Sequence, residues 1–499
     1  MTYSRPGVYI TERLLPAPIA STATADAAGA VLAQFAQGPE TPTLITSWYE
    51  FVNQFGGYES AYPATFAVAS YFQNGGGELI VKRVLPSDAD AASVVITTAV
   101  GSTTITTVTS LSRGSDSNNL RVQVSAAAQS GYYNLTVYKE RVAGTASNVA
   151  NDEILERFLN INFSTPSSPD FIDSVVNTSS KVIKTVTTSN SGAPSTAVLP
   201  LTGADNGTAP AASAYVAAVA DFSQLNRPLV LFVPDAIPLL GSTNGATAIN
   251  GAIAWAESNS SFVVADTNPD QTVAQAITFA DSLTASANVA VYYPNIYVGD
   301  PLGRSPQALR KIGPSGAVAG LYIATDKEYG PFKAPAGIRA SIRGAVALEK
   351  AFTSAELDTL NTGASPVNAL RNLPGAGVVA MGARTLLQDG TANKYVNMRR
   401  SLNYIRKQLE GLTEFALFEN NDEALWARLR SSIAIFLGDY RNAGGLRGAN
   451  EAEAFFIKVD SENNPQSTIE QGEVHIEVGV ALQYPAEFVV INLSQKTAA

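Results

Sequence analysis

A single histidine, His475, is all the imidazole chemistry that this 499-residue chain offers, and it stands in the stretch Glu473-Val474-His475-Ile476-Glu477. A Ser-His-Asp hydrolase needs a base to take the serine proton, so only His475 is a candidate for that role. In an extended strand, residues 473, 475 and 477 share one face, which sets the ring beside two carboxylates on the polar side. That is the ordinary setting of a surface strand histidine. No Gly-x-Ser-x-Gly elbow accompanies it. The phosphate-cradling Walker loop, the His-Glu-x-x-His helix and the dinucleotide glycine fingerprint are equally missing. Asp266-Thr267-Asn268-Pro269-Asp270 opens like a calcium loop, but Gln271 takes the place of the required glycine and the closing Glu is lacking. A turn after a strand is expected there. With no cysteine, disulfides and thiolate metal sites are excluded. The residues therefore point to no catalytic, cofactor or metal site.

Composition narrows the partners. Hydrophobic residues make up 45% and charged residues only 15%, a globular balance in which much of the surface is expected to be covered in the working state. The net charge of −10 argues against a nucleic-acid binder, which needs a basic face. No window approaches the roughly 18 uncharged apolar residues of a membrane span, so no membrane insertion is expected. The opening Met1-Thr2-Tyr3-Ser4-Arg5-Pro6 lacks the charged stretch and apolar block of a signal peptide, and synthesis without secretory export is the expectation. Triplets such as Asn134-Leu135-Thr136 then carry no glycan.

The elements follow from periodicity. Residues 1–20 read as an extended arm, with Val8, Tyr9 and Ile10 as strand formers and Pro16 and Pro18 barring a helix. Residues 21–88 form an α/β block: a strand at 30–35, a capping box of Ser47 and Glu50, a helix over 63–72 ended by Asn74-Gly75-Gly76-Gly77, and a strand over 79–84. From 89 to 200 the chain turns to Ser, Thr and Val in short alternating runs, an antiparallel β-sandwich with a helix near 152–158.

Continuously apolar strands at 228–233, 261–265 and 288–293 alternate with helices near 211–222, 245–257 and 271–285. A layered parallel α/β domain over 201–374 is predicted. Its strand ends carry Asp235 and Asp266, typical turn residues at positions where such folds also bind ligands. Residues 375–485 hold a basic amphipathic helix over 397–412 with Arg399, Arg400, Arg406 and Lys407, then a helix over 421–437 with an apolar face of Leu425, Leu429, Ile433 and Phe436. Strands at 455–459 and 474–482 follow, and 486–499 carries a last strand-like run, Phe488-Val489-Val490-Ile491. A lone arm is not a stable strand, but one with suitable residues can join a neighbour's sheet. Each inserted arm makes about five backbone hydrogen bonds at about 1 kcal/mol apiece.

Motifs in this order resemble contractile tail sheath proteins. They are Pro6-Gly7-Val8-Tyr9-Ile10-Thr11-Glu12, the looser turn Leu201-Thr202-Gly203-Ala204-Asp205-Asn206-Gly207, Pro314-Ser315-Gly316-Ala317-Val318-Ala319-Gly320, and Phe332-Lys333-Ala334-Pro335-Ala336. Gly382-Ala383-Arg384-Thr385-Leu386, Tyr395-Val396-Asn397-Met398-Arg399-Arg400, Phe418-Glu419-Asn420-Asn421 with Leu425-Trp426, and Pro485-Ala486-Glu487-Phe488-Val489 complete the set. Met381 and Phe332 stand where the family often has Trp.

The resemblance implies an α+β multidomain chain. Its inner α/β core would be built from residues 21–88 and 375–485, with the sandwich and a subtilisin-like, non-catalytic α/β domain inserted and strand arms at both ends. It implies a sheath of stacked hexameric rings around an inner tail tube, with baseplate and tail terminator proteins as further partners, assembled in the bacterial cytoplasm as part of a virion tail. The arms around Val8, Tyr9, Ile10 and Phe488, Val489, Val490, Ile491 would be exchanged between subunits. The basic residues Arg399, Arg400, Arg406 and Lys407 are expected to face an acidic tube. A bacteriocin or extracellular injection-system sheath is the near alternative. A subtilisin-like hydrolase is a remote one, and an adhesin resting on residues 89–200 leaves the two arms without a purpose.

Overall fold

The computed structural model describes residues 27–487 except 102, 141–148, 150–151, 190–191, 389 and 391. These residues fall into two compact units, one of residues 27–403 with 484–487 and one of residues 404–483.

The larger unit is organised by strands that are apolar at every position. Leu229–Phe232, Phe262–Asp266 and Val289–Tyr293 are buried throughout, as strands covered on both faces must be. They belong to an eight-stranded sheet in the order Gly377–Ala380, Asn368–Leu373, Val289–Tyr293, Phe262–Asp266, Leu229–Phe232, Ala28–Ala33, Leu79–Arg83, Thr43–Ile45. The six inner strands run parallel and the two edges antiparallel. Alternation divides each strand between two cores: Leu229 and Leu231 enter one, Val230 and Phe232 the other.

The sheet corrects the expected grouping of domains. Residues 21–88 were to pair with 375–485, but Ala28–Ala33 is hydrogen-bonded in parallel to Leu229–Phe232, so the first block lies within the layered α/β sheet. The boundary expected at 375 also moves. Gly377–Ala380 is an edge strand of the same sheet, and the break between units falls inside the helix Val396–Thr413.

Small residues set the helix packing on one face. A Cβ on Gly316 would lie 2.2 Å from the Ala67 carbonyl oxygen, and one on Gly320 would lie 2.3 Å from that of Tyr71. The helices Ser315–Glu328 and Ala64–Gln73 therefore touch backbone to backbone. This gives a physical reason for the glycine spacing in Pro314–Gly320.

Between the third strand and residue 201 the chain builds two antiparallel sheets. One has the order Val198–Pro200, Leu120–Ala126, Tyr133–Lys139, Glu153–Ile161, and the other Ala91–Thr97, Thr104–Arg113, Ile183–Thr187. Ile96, Ile105 and Val108 meet Val122, Val124, Leu135 and Val137 in a shared core. The helix expected near 152–158 is instead the strand Glu153–Ile161. Its Glu, Leu and Arg are good helix formers, but the ladder to Tyr133–Lys139 overrides that local preference. Arg83, only 1% exposed, ties these sheets to the body. Its guanidinium donates to the carbonyls of Phe35, Ala36, Gly38 and Arg113 at 2.8–3.1 Å. Burial lowers its pKa to about 10, which still leaves it charged at neutral pH.

The smaller unit packs the helix Glu423–Asn442 over a two-stranded antiparallel ribbon, Phe455–Lys458 with Glu477–Val480. Leu425, Trp426, Leu429 and Val459 form its centre. Asp422 caps the helix by accepting from the Leu425 amide at 2.8 Å. Its buried stripe continues through Ile433 to Leu437, while Phe436 is half-buried and stacks on Tyr440.

Substituting Gly316→Ala or Gly320→Ala should cost about 1–3 kcal/mol by overpacking. The control Gly77→Ala, where a Cβ meets nothing within 4 Å, should be close to neutral. Thermal unfolding of the three variants checks the contrast.

Candidate assembly surfaces

The four basic residues of the helix Val396–Thr413 were expected to form one tube-facing set, and the structure divides them. Arg400 is 4% exposed, paired through both guanidinium nitrogens with Asp326 and stacked 4.9 Å from the Tyr322 ring centroid. Tyr322 in turn shares a 2.7 Å hydrogen bond with Tyr292. Arg399 is half-buried and its Nε donates to Asn288 Oδ1 at 2.6 Å. Both arginines hold the interior of the larger unit together, so neither faces outward. Sequence periodicity put charge on one stripe but could not see the carboxylate and amide waiting opposite it. Arg406 is exposed and lies 3.5 Å from Glu410, while Lys407, mostly covered, donates to Glu410 at 2.7 Å. Of the four, Arg406 alone presents most of its side chain to solvent.

The strand-exchange residues Val8, Tyr9, Ile10 and Phe488, Val489, Val490, Ile491 lie outside the described residues. Among the described residues, one sheet is short of strands. The ribbon of Phe455–Lys458 and Glu477–Val480 has only four residues per strand and, among the described residues, no third strand. Its stability comes from the helix Glu423–Asn442 packed over it. Among the described residues each of its strands has a strand neighbour on one side only, and Phe456, 54% exposed, lies across Gly479. Hydrogen bonds at the ribbon ends, Ala481 N–H to the Ala454 carbonyl and Arg447 N–H to the Ala481 carbonyl, fix its position within the small unit.

At the other end of the described chain, Glu487 is gripped by Arg384, whose Nε and Nη2 donate to its two carboxylate oxygens at 2.7 Å each. Sequence reasoning quoted both residues in motifs without seeing that they meet.

His475 lies just before the strand Glu477–Val480 rather than within the longer strand expected over 474–482. Side chains replace the ladder there: Asn464 accepts from its amide, and Asn463 and Asn464 donate to its carbonyl. Its Nε2 is 2.8 Å from Glu473, the neighbouring carboxylate that the sequence placed beside it, and the side chain is 57% exposed.

The sheet's switch point lies between Ala28–Ala33 and Leu229–Phe232, where strand order reverses and such folds commonly bind ligands. Here protein groups hold the two aspartates at the strand ends. The carboxylate Oδ2 of Asp235 accepts from the Gln34 amide at 2.6 Å and from the Tyr215 hydroxyl at 3.0 Å. Asp266, one strand along, accepts from the Ser315 amide and hydroxyl at 2.6 and 2.5 Å. A Cβ at residue 313 would fall 2.3 Å from that carboxylate, which is why Gly313 precedes Pro314. Burial pushes both aspartates up to about 7, against hydrogen bonds that pull them down. Both are structural locks. Among the described residues no cluster of His, Asp or Glu is arranged to hold a metal, and no helix is long and apolar enough to cross a membrane.

The fold is that of contractile sheath subunits. Residues 388–496 match the phage tail sheath C-terminal domain. Over 277 residues the chain is 27% identical to the tail sheath protein of Vibrio phage KVP40; the match takes in 55% of this chain and 38% of that relative's length. Among solved structures it resembles the contracted helical sheath of the anti-feeding prophage, with a TM-score of 0.61, 22% identity and coverage of 99% of this chain and 100% of that one. The sheath of the extracellular contractile injection system PVC gives 0.58 and 20%, covering 99% of each chain. The sheath tail protein of Listeria innocua gives 0.62 and 12%, covering 93% and 96%. Sequence and fold together uphold the likeness to contractile tail sheath proteins read from the motifs.

Charge reversal separates the two kinds of arginine. Arg400→Glu should destabilise the larger unit by about 3–5 kcal/mol, the usual cost of breaking a buried pair. Arg406→Glu should leave the unfolding midpoint within about 0.5 kcal/mol of the parent, as surface substitutions do.

A pH effect follows from the aspartates. Their folded pKa of about 7 exceeds the usual 3.8, so the folded state holds protons that the unfolded chain releases. Their contribution is complete below about pH 4 and is lost as pH rises through about 7. Glu356, lowered to about 2 by Lys350 and by hydrogen bonds from Thr353, acts in the opposite sense, but only below about pH 4.5. Stability should thus fall between pH 5 and 8. Asp235→Asn should flatten that fall, as read by denaturant unfolding across the range.

Proposed function

We infer that this chain is the structural subunit of a contractile sheath, polymerising in stacked six-fold rings around an inner tube and contracting to drive that tube through an envelope. The observation that carries this reading is the likeness to sheath subunits over 99% of the chain, including subunits within contracted sheaths. In this reading the work is mechanical rather than catalytic. The α/β unit, subtilisin-like or otherwise, acts here as a body and not as a hydrolase.

In this reading the two-stranded ribbon of the smaller unit is completed by arms from neighbouring copies, the segments around Val8–Ile10 and Phe488–Ile491. The edges that have no strand neighbour among the described residues favour this use. Repetition through the polymer compensates for the modest strength of each added strand. Arg406 is the residue of the basic helix that would meet an acidic tube, and single exposed ion pairs of about 0–1 kcal/mol suit a contact that must release. A virion tail assembled in the bacterial cytoplasm is the setting, with tube, baseplate and terminator proteins as partners. A second reading keeps the mechanism and changes the particle. The similar solved sheaths of PVC and the anti-feeding prophage favour an extracellular injection device.

Negative-stain electron microscopy of the purified chain, with and without its tube protein, tests the reading. Striated hollow tubes are expected from the intact chain, and monomers or loose rings from a variant lacking residues 1–12 and 488–499. A chain that stays monomeric at high concentration with its tube supplied would be incompatible with a sheath role.

A further inference from the structure

The geometry points to Arg384 and Glu487 as a built anchor that fixes where the C-terminal segment leaves the body, so that the strand beginning at Phe488 is presented to a second copy of this chain without slack. The inference rests on the strand-donation reading above and adds the element that positions the donated strand.

Four observations carry it. First, the pair is two-pronged and largely covered: both contacts are 2.7 Å, and the side chains are 14% and 23% exposed. A planar guanidinium meeting a carboxylate in this way restricts direction as well as distance.

Second, Arg384 is immobilised from behind. Its Nη1 donates to the Asn361 carbonyl at 2.7 Å. Its own amide and carbonyl are clamped by the Asn368 side chain, which accepts from the amide and donates to the carbonyl at 2.8 Å each. Asn368 sits in a strand of the eight-stranded sheet and is 3% exposed, so the chain from Glu487 to the sheet is short and rigid.

Third, the motif around Arg384 is shaped for this. A Cβ on Gly382 would lie 2.6 Å from Asn368 Oδ1, so only glycine lets the backbone pass the clamping amide.

Fourth, the segment before Glu487 is held too. The Tyr484 ring packs edge-on against Tyr395 at 6.4 Å, and the Tyr395 hydroxyl donates to Glu487 Oε2 at 3.3 Å.

The position in sequence gives this anchor its meaning. Phe488 follows Glu487 directly, and the apolar run Phe488-Val489-Val490-Ile491 starts with no spacer. In that reading the donated run starts from a fixed point on the body, and movement of one body is passed to the next from that point.

The test uses the full-length chain. Glu487→Gln keeps the Arg384–Asn361 bond and removes the charge; it should lower the pelletable tube fraction at least fivefold while the unfolding midpoint of the monomer stays where it was. The exchanged pair, Arg384→Glu with Glu487→Arg, should recover more polymer than Arg384→Glu alone. Inserting Gly-Ser-Gly-Ser after Glu487 should mimic the loss, because it restores slack while leaving the ion pair intact. Polymer yield and tube regularity equal to the parent in both Glu487→Gln and the insertion would overturn the anchor. Deletion of residues 488–499 that still gives normal tubes would instead overturn the donation on which it rests.

Discussion

The parallel pairing of Ala28–Ala33 with Leu229–Phe232 is the constraint on which the larger unit depends. It joins segments about two hundred residues apart at the centre of one sheet, so the chain that follows Leu79–Arg83 must leave the sheet and return. The antiparallel sheets of residues 91–200 are that excursion. Their exit is stitched to their entrance where Asp90 bridges Asp205 and Ser93 bridges Thr202. Loop-closure entropy grows only slowly with length, which is why so large an insertion is tolerated in a central pairing. At the carboxyl end of the junction, Asp235 reaches across to Gln34 and seals it.

Element types were largely legible in the sequence, and their partners were not. Runs such as Leu229-Val230-Leu231-Phe232 announce a doubly covered strand, and Asp422 announces a helix start, because these signals are local. Which apolar strand lies beside which is set by shape and burial across long separations. The same limit explains Glu153–Ile161, where helix-favouring residues are drawn into a ladder. At the surfaces, spacing marked the basic stripe of residues 399–407 but could not separate Arg400, sunk against Asp326 and Tyr322, from Arg406. The pairing of Arg384 with Glu487 had a faint signal, since both stand in recognisable motifs, but nothing in the spacing joins them.

Several motifs that mark the likeness to sheath proteins have plain physical duties here. Gly313 makes room for the buried Asp266 carboxylate, Gly316 and Gly320 let two helices meet, and Gly382 lets the backbone pass Asn368. They hold a body rigid against its own packing.

Arg83 extends that view to the whole outer excursion. A guanidinium wholly wrapped by main-chain carbonyls from Phe35 to Gly38 on one side and by Arg113 on the other is less a contact than a rivet, since main-chain acceptors cannot rotate away as side chains do. The antiparallel sheets are in effect an outrigger bolted to the hull, without a swivel. Drag or load applied at their far end arrives at the eight-stranded sheet as torque.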